Sequence, residues 1–155
     1  MVYSGEKGKV HKFVGHFEHN LDEKGRLIFP AKFRALLGEK FYICLSFSGD
    51  RIWAMPESEW NKLYDEYLSK IPPFDKEGQN FLSLFTSLSA ESELDKQGRA
   101  LIPENLREKI NLEKETVLIG KLNFIEIYNK EKLTEIADGS ELSKMAQEYF
   151  SKSSK

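Results

Sequence analysis

A single cysteine, Cys44, excludes an intramolecular disulfide. It lies in "FYICLSF" and reads as a small buried hydrophobe, which suits a reducing cytoplasm. No apolar run approaches the ~20 residues that span a bilayer, and "MVYSGEKGKVHKF" lacks the apolar core of a signal peptide. Strong positive charge is missing as well. The formal net charge is −2, whereas nucleic-acid binders are often strongly basic. A nucleic-acid surface would have to be a local concentration of cations.

Catalytic signatures are also lacking: there is no P-loop, no dinucleotide fingerprint and no Ser/His/Asp order. The three histidines, His11, His16 and His19, share one segment with no cysteine beside them. On a strand, His16 and His19 point to opposite faces, which does not suit a metal. No catalytic residue, cofactor, metal or small-molecule substrate is expected.

What the chain does have is one phrase written twice. "LDEKGRLIFPAKFR" begins at Leu21 and "LDKQGRALIPENLR" at Leu94, seventy-three residues later. Six of the fourteen positions are identical (Leu21/Leu94, Asp22/Asp95, Gly25/Gly98, Arg26/Arg99, Pro30/Pro103 and Arg34/Arg107), where chance would give about one. Ile28/Leu101, Phe29/Ile102 and Phe33/Leu106 trade apolar for apolar. The repeat continues through "EKFYICLSF" and "KETVLIGK", and Ile52/Ile125 return to the same offset. Only the tip of one hairpin is expected to differ in length.

Each copy reads as mixed α+β. A strand enters Asp-x-x-Gly, with Asp and Gly at their favoured positions in a type I turn. A short strand stops at Pro30 or Pro103, where proline suits the first turn of a helix. The helices "AKFRALLG" and "ENLREKIN" end in Gly38 and Asn111, which suit a left-handed cap. A hairpin follows. Each half alone is near the lower size limit for an independent core, so a shared core is expected.

The expected division is an N-terminal extension over 1–12, a first repeat over 13–60, connecting helices over 61–88, a second repeat over 89–133, and a C-terminal helix and tail over 134–155. Trp60, Leu63, Tyr64, Tyr67, Leu68 and Ile71 recur at helical spacing in the connector. Phe74, Phe81, Leu82, Leu84, Phe85 and Leu88 crowd its second part. Such stripes make core or subunit interface.

Arginine is scarce, and four of the five sit at matched repeat positions: Arg26/Arg99 and Arg34/Arg107. Its planar fork suits phosphate oxygens and guanine edges. Arg26 and Arg99 follow the turn glycines, and Lys24 and Gln97 lie within the turns. From spacing alone, the simpler reading pairs Asp22 with Arg26 and Asp95 with Arg99 across their own turns. Arg34 and Arg107 fit a structural role equally well.

The two phrases, with "FVGHFEHNLD" upstream and "VLIGKLNFIEIYNKEKL" downstream, resemble the MraZ family of bacterial transcriptional regulators. The likeness covers roughly Phe13 to Leu133. It implies two SpoVT/AbrB-like copies with Asp22–Arg26 and Asp95–Arg99 as the signature. These copies would interlock about a pseudo-twofold axis into a barrel-like swapped-hairpin body with flanking helices. It further implies a ring-shaped homo-oligomer that binds repeated boxes in double-stranded promoter DNA, typically ahead of the division and cell-wall gene cluster. Lys24, Arg26, Gln97 and Arg99 fall on the motif positions expected to touch DNA. Such a regulator would be cytoplasmic and associated with the nucleoid.

Family members tend to begin near the position of Phe13, so residues 1–12 depart from the pattern. A flexible segment without function is the first expectation; a basic arm ("EKGKVHK") that touches DNA and an alternative start are the others. The alternative class is a protein-interaction module, such as an antitoxin binding its partner through the helical tail.

Overall fold

The computed structural model describes residues 12–135 and 139–153. The expectation of a flexible extension therefore falls almost wholly outside the described residues. The chain orders its elements as β1 (Phe13–Asn20), β2 (Arg26–Ile28), α1 (Ala31–Leu37), β3 (Lys40–Leu45), β4 (Ile52–Pro56), α2 (Glu57–Glu66) and α3 (Lys76–Ser87). Then come β5 (Ser89–Glu93), β6 (Arg99–Leu101), α4 (Glu104–Lys109), β7 (Glu115–Leu122), β8 (Phe124–Asn129) and α5 (Leu142–Ser153).

The repeats are exchanged rather than set side by side. The main sheet runs β1-β7-β8-β4-β3-β5, with each repeat placing its first strand against the other's hairpin. All of its ladders are antiparallel. A second ribbon pairs β2 with β6, again one strand from each repeat. The registers are symmetric under the seventy-three-residue offset: Arg26 faces Leu101 as Ile28 faces Arg99, and Ile52 faces Ile127 as Ala54 faces Ile125. A local twofold axis thus passes through Leu27/Ala100 and Trp53/Glu126. No ladder joins β1 to β5 among the described residues, so the mixed α+β body is not a closed barrel.

Register also corrects the comparison of the two copies. Lys40 faces Glu93 as Glu115 faces Asn20, so the second repeat gains two residues before β7. It returns them at the hairpin tip, where Lys121 and Phe124 already pair. Two compensating length changes exist where the sequence suggested one. An ungapped reading conceals the first because several apolar residues on each side still align.

The shared core explains why neither half stands alone. Phe13, Phe29, Phe33, Phe41 and Leu27 from the first repeat meet Ile102, Leu106, Leu118 and Ile125 from the second, all under 2 % exposed. A second cluster, Cys44, Met55, Leu68 and Phe85, lies where α2 and α3 cover β3 and β4. Trp60 stacks on Tyr42 at 4.6 Å. Cys44 is the buried hydrophobe its sequence context suggested, and burial pushes its thiol up to about 12.

The short helices begin one residue later than proline at the first helical position would require. Pro30 and Pro103 stand just ahead of the first helical residue, and their carbonyls accept from Arg34 and Arg107 N–H at 3.0 Å. Gly38 and Asn111 take positive φ, 83° and 53°, as expected for helix ends. The connector stripe divides: Trp60, Leu63, Leu68, Leu82 and Phe85 pack, whereas Tyr67, Phe74 and Leu84 face outward. The apolar residues of α5 (Leu142, Met145, Tyr149 and Phe150) are also exposed.

One glycine decides how closely two strands approach. Gly120 on β7 faces Gly15 on β1. A Cβ there would meet Phe13 C at 2.5 Å and Val14 Cα at 2.7 Å. Backbone cannot swing aside as a side chain does, so Gly120→Ala is expected to cost about 1–3 kcal/mol. A urea titration giving an unchanged midpoint would show that the β1–β7 ladder yields freely.

Candidate nucleic-acid interface

The two signature turns are built alike. Gly25 N–H donates to Asp22 O, and Gly98 N–H to Asp95 O, both at 3.0 Å. Each carboxylate then organises the loop it starts. Asp22 Oδ1 accepts from Lys24 N–H and Arg26 N–H at 2.9 Å, and Asp95 Oδ1 accepts from Gln97 N–H and Arg99 N–H at 2.9 Å. The other oxygens accept from arginine Nε, at 2.7 Å for Asp22–Arg26 and 2.9 Å for Asp95–Arg99. The pairing expected from spacing alone is therefore present in both copies.

These bonds hold both carboxyls below the ordinary aspartate value. The largest cause is the backbone N–H of the arginine, opposed by burial and reinforced by the arginine side chain. Because the pairs lie at the surface and are partly exposed, their value to stability is small. Their geometric consequence is larger. An aspartate that engages Nε fixes the guanidinium and leaves the terminal nitrogens projecting. Those of Arg26 make no hydrogen bond to any described residue.

Strand exchange brings the two turns together. Arg99 Nη1 lies 3.7 Å from Asp22 Oδ2, linking one repeat's arginine to the other's aspartate. On the β2–β6 ribbon, Leu27 and Ala100 point into the core. Alternation therefore places Arg26, Ile28, Arg99 and Leu101 together on the outer face. Lys24 and Gln97 are exposed within the flanking turns. Arg26 and Arg99 thus share one outward face, and Lys24 and Gln97 are exposed in the turns that lead into it.

Arg34 and Arg107 occupy places the sequence left undecided. Each lies over the turn glycine of the other repeat: a Cβ at Gly25 would come within 2.7 Å of Arg107 Cζ, and one at Gly98 within 2.7 Å of Arg34 Cζ. Both glycines have φ near +80°, which favours glycine independently. Arg107 Nε donates to Ile102 O at 2.8 Å. The matched recurrence of these arginines signalled a common role, but crossing to the opposite repeat required the exchanged topology.

Among the described residues, no cluster of three or more His, Cys, Asp or Glu side chains suits a metal ion, and no helix is long and apolar enough to cross a membrane.

A family described as "MraZ protein, putative antitoxin-like" matches the chain twice, over residues 13–83 and 87–150. The chain belongs to the MraZ family. Among MraZ relatives, the protein named "Transcriptional regulator MraZ" from Clostridium beijerinckii is 46% identical over 123 residues, covering 79% of this chain and 85% of that one. Proteins of the same name from Halothermothrix orenii and Desulforamulus reducens are each 41% identical. They cover 83% and 77% of this chain, and 89% and 82% of their own lengths.

Proposed function

We propose that this MraZ protein is a sequence-specific DNA-binding transcriptional regulator. One observation carries the reading: two aspartate-held arginines share an outward ribbon face, related by the internal twofold. Lys24, Arg26, Gln97 and Arg99 contact double-stranded promoter DNA. The names of the relatives support the same reading. The targets are repeated boxes, including those ahead of the protein's own division and cell-wall gene cluster. The reading assigns no catalytic step, and it puts the protein in the cytoplasm with the nucleoid.

Assembly into a ring belongs to this proposal. The exposed apolar residues of α5 and the connector supply surface for contacts between copies. An interlocked barrel-like body and the division into two repeats at 13–60 and 89–133, with 61–88 between and 134–155 after, are part of it too. Exchange of strands between the repeats supports that organisation. A ring also answers the weak charge, because it multiplies the phosphates neutralised by a modest patch.

The test is gel-shift binding of the full chain to the upstream region of its own operon, at two salt concentrations, against unrelated competitor DNA. Specific retention that weakens with salt is expected. No retention by a folded protein overturns the reading. The second reading, an antitoxin-like module, is favoured by the exposed face of α5, and predicts capture of a partner protein at native salt instead.

A further inference from the structure

The ribbon face presents more than charge. Ile28 and Leu101 are 40% and 52% exposed, at matched positions, each directly opposite an arginine. The face is therefore a two-by-two checkerboard: Arg26 beside Leu101, and Ile28 beside Arg99. Isolated exposed aliphatics are ordinary. A pair related by the internal twofold and interleaved with two fixed arginines calls for a common ligand.

Resting on the DNA-binding reading above, we infer that Ile28 and Leu101 read thymine C5-methyl groups in the major groove. The groove is about 12 Å wide and admits a two-stranded ribbon. It offers both chemistries that this face carries. Guanine presents O6 and N7 acceptors to arginine, while thymine presents a methyl group to an apolar side chain. The minor groove carries no such methyl. Cross-strand neighbours lie about 5 Å apart, so an aliphatic beside an arginine reaches the same or an adjacent base pair. Charge complementarity selects the occupant: positive side chains border both aliphatics, which suits a phosphate-lined groove better than an apolar protein surface. Neither aliphatic joins the core, whose side of the ribbon is formed by Leu27 and Ala100.

The face thereby divides its labour. Arg26 and Arg99 supply hydrogen bonds and charge, while Ile28 and Leu101 distinguish thymine from cytosine at adjoining positions.

The test compares duplexes of the operon's upstream region made with thymine and with uracil, which lacks only the methyl. Burial of each methyl contributes about fourfold in affinity. Wild type is expected to bind the thymine duplex roughly 15-fold more tightly if both aliphatics engage. Ile28→Ala/Leu101→Ala should bind both duplexes alike, with unchanged melting and oligomer mass. Wild type that retains the upstream region but ignores the methyls overturns this inference and leaves the DNA-binding reading intact. A double variant that still discriminates overturns it equally. So does a double variant that loses its oligomer, which would make the face a contact between copies. Failure of wild type to prefer either duplex over unrelated DNA removes the functional reading itself, and this inference with it.

Discussion

Replacing Arg26 and Arg99 together by alanine is expected to remove specific retention of the upstream DNA while leaving the protein folded. A bidentate arginine–guanine contact contributes about 1–3 kcal/mol of discrimination. Losing two would weaken specific binding by roughly 30-fold to 2 × 10⁴-fold. The fold should notice little. Both side chains lie on the outer ribbon face, and Asp22 and Asp95 retain the backbone donors that shape their turns. Each of these surface pairs adds little to stability. Gel shift, oligomer mass and a urea titration on one preparation separate the roles. Lost binding with unchanged mass and midpoint supports DNA contact; unfolding or a lost oligomer would make these arginines structural. The salt dependence should also become shallower, as expected when phosphate-neutralising cations are removed.

Glu126→Ala is expected to produce the largest loss of stability. Glu126 is 3% exposed and lies on the axis between repeats, facing its own repeat-equivalent, Trp53. Its Oε1 accepts from Arg51 Nη1 at 3.3 Å and from Tyr128 O–H; Oε2 accepts from Trp53 Nε1 and Lys121 Nζ, both at 3.1 Å. Four donors around two oxygens use the full capacity of a carboxylate. Removing the acid leaves the Trp53 Nε1–H and Tyr128 O–H donors facing an unfilled space, while Arg51 keeps Asp50 and the Tyr128 oxygen. The two stranded donors cost about 3–5 kcal/mol. For a chain of this size that corresponds to a fall in Tm of roughly 6–20 °C. Glu126→Gln should also lose stability, because its amide NH₂ confronts donors on the side where an acceptor is needed.

The same site predicts a pH dependence. Burial raises the Glu126 carboxyl, but hydrogen bonds from Tyr128, Trp53 and Lys121 outweigh it, so the group lies below its ordinary value of 4.5. A lowered folded pKa gives stabilisation that is present above the unfolded value and lost as pH falls through the folded one. The gap between wild type and Glu126→Gln in urea should therefore be widest near neutrality and close below pH 4.5. A gap independent of pH would show that packing, not the charge, carries the effect.

Much of the candidate site could be read from the chain alone. The duplicated Asp-x-x-Gly-Arg turns pointed to the Asp22–Arg26 and Asp95–Arg99 pairs because turn chemistry is local, and the fold builds both turns alike. It is the family resemblance that marks Lys24, Arg26, Gln97 and Arg99 as candidate DNA contacts. Ile28 and Leu101 were recognised as matched apolar residues but not as surface. Alternation pairs each with its arginine, yet a three-residue strand is too short to reveal which face is buried. Arg34 and Arg107 were similarly ambiguous, since their partners lie in the other repeat.

Local chemistry in the sequence determined the repeat, the turns, the short helices bounded by proline at one end and by Gly38 or Asn111 at the other, and the concentration of arginine in matched places. Tertiary structure alone decided that the repeats exchange strands, that Trp53 meets Glu126 on the axis, and that both arginines emerge on one face. The physical reason is range. Turns and caps depend on hydrogen bonds spanning a few residues, whereas exchange depends on two half-sized cores that bury enough apolar surface only when merged.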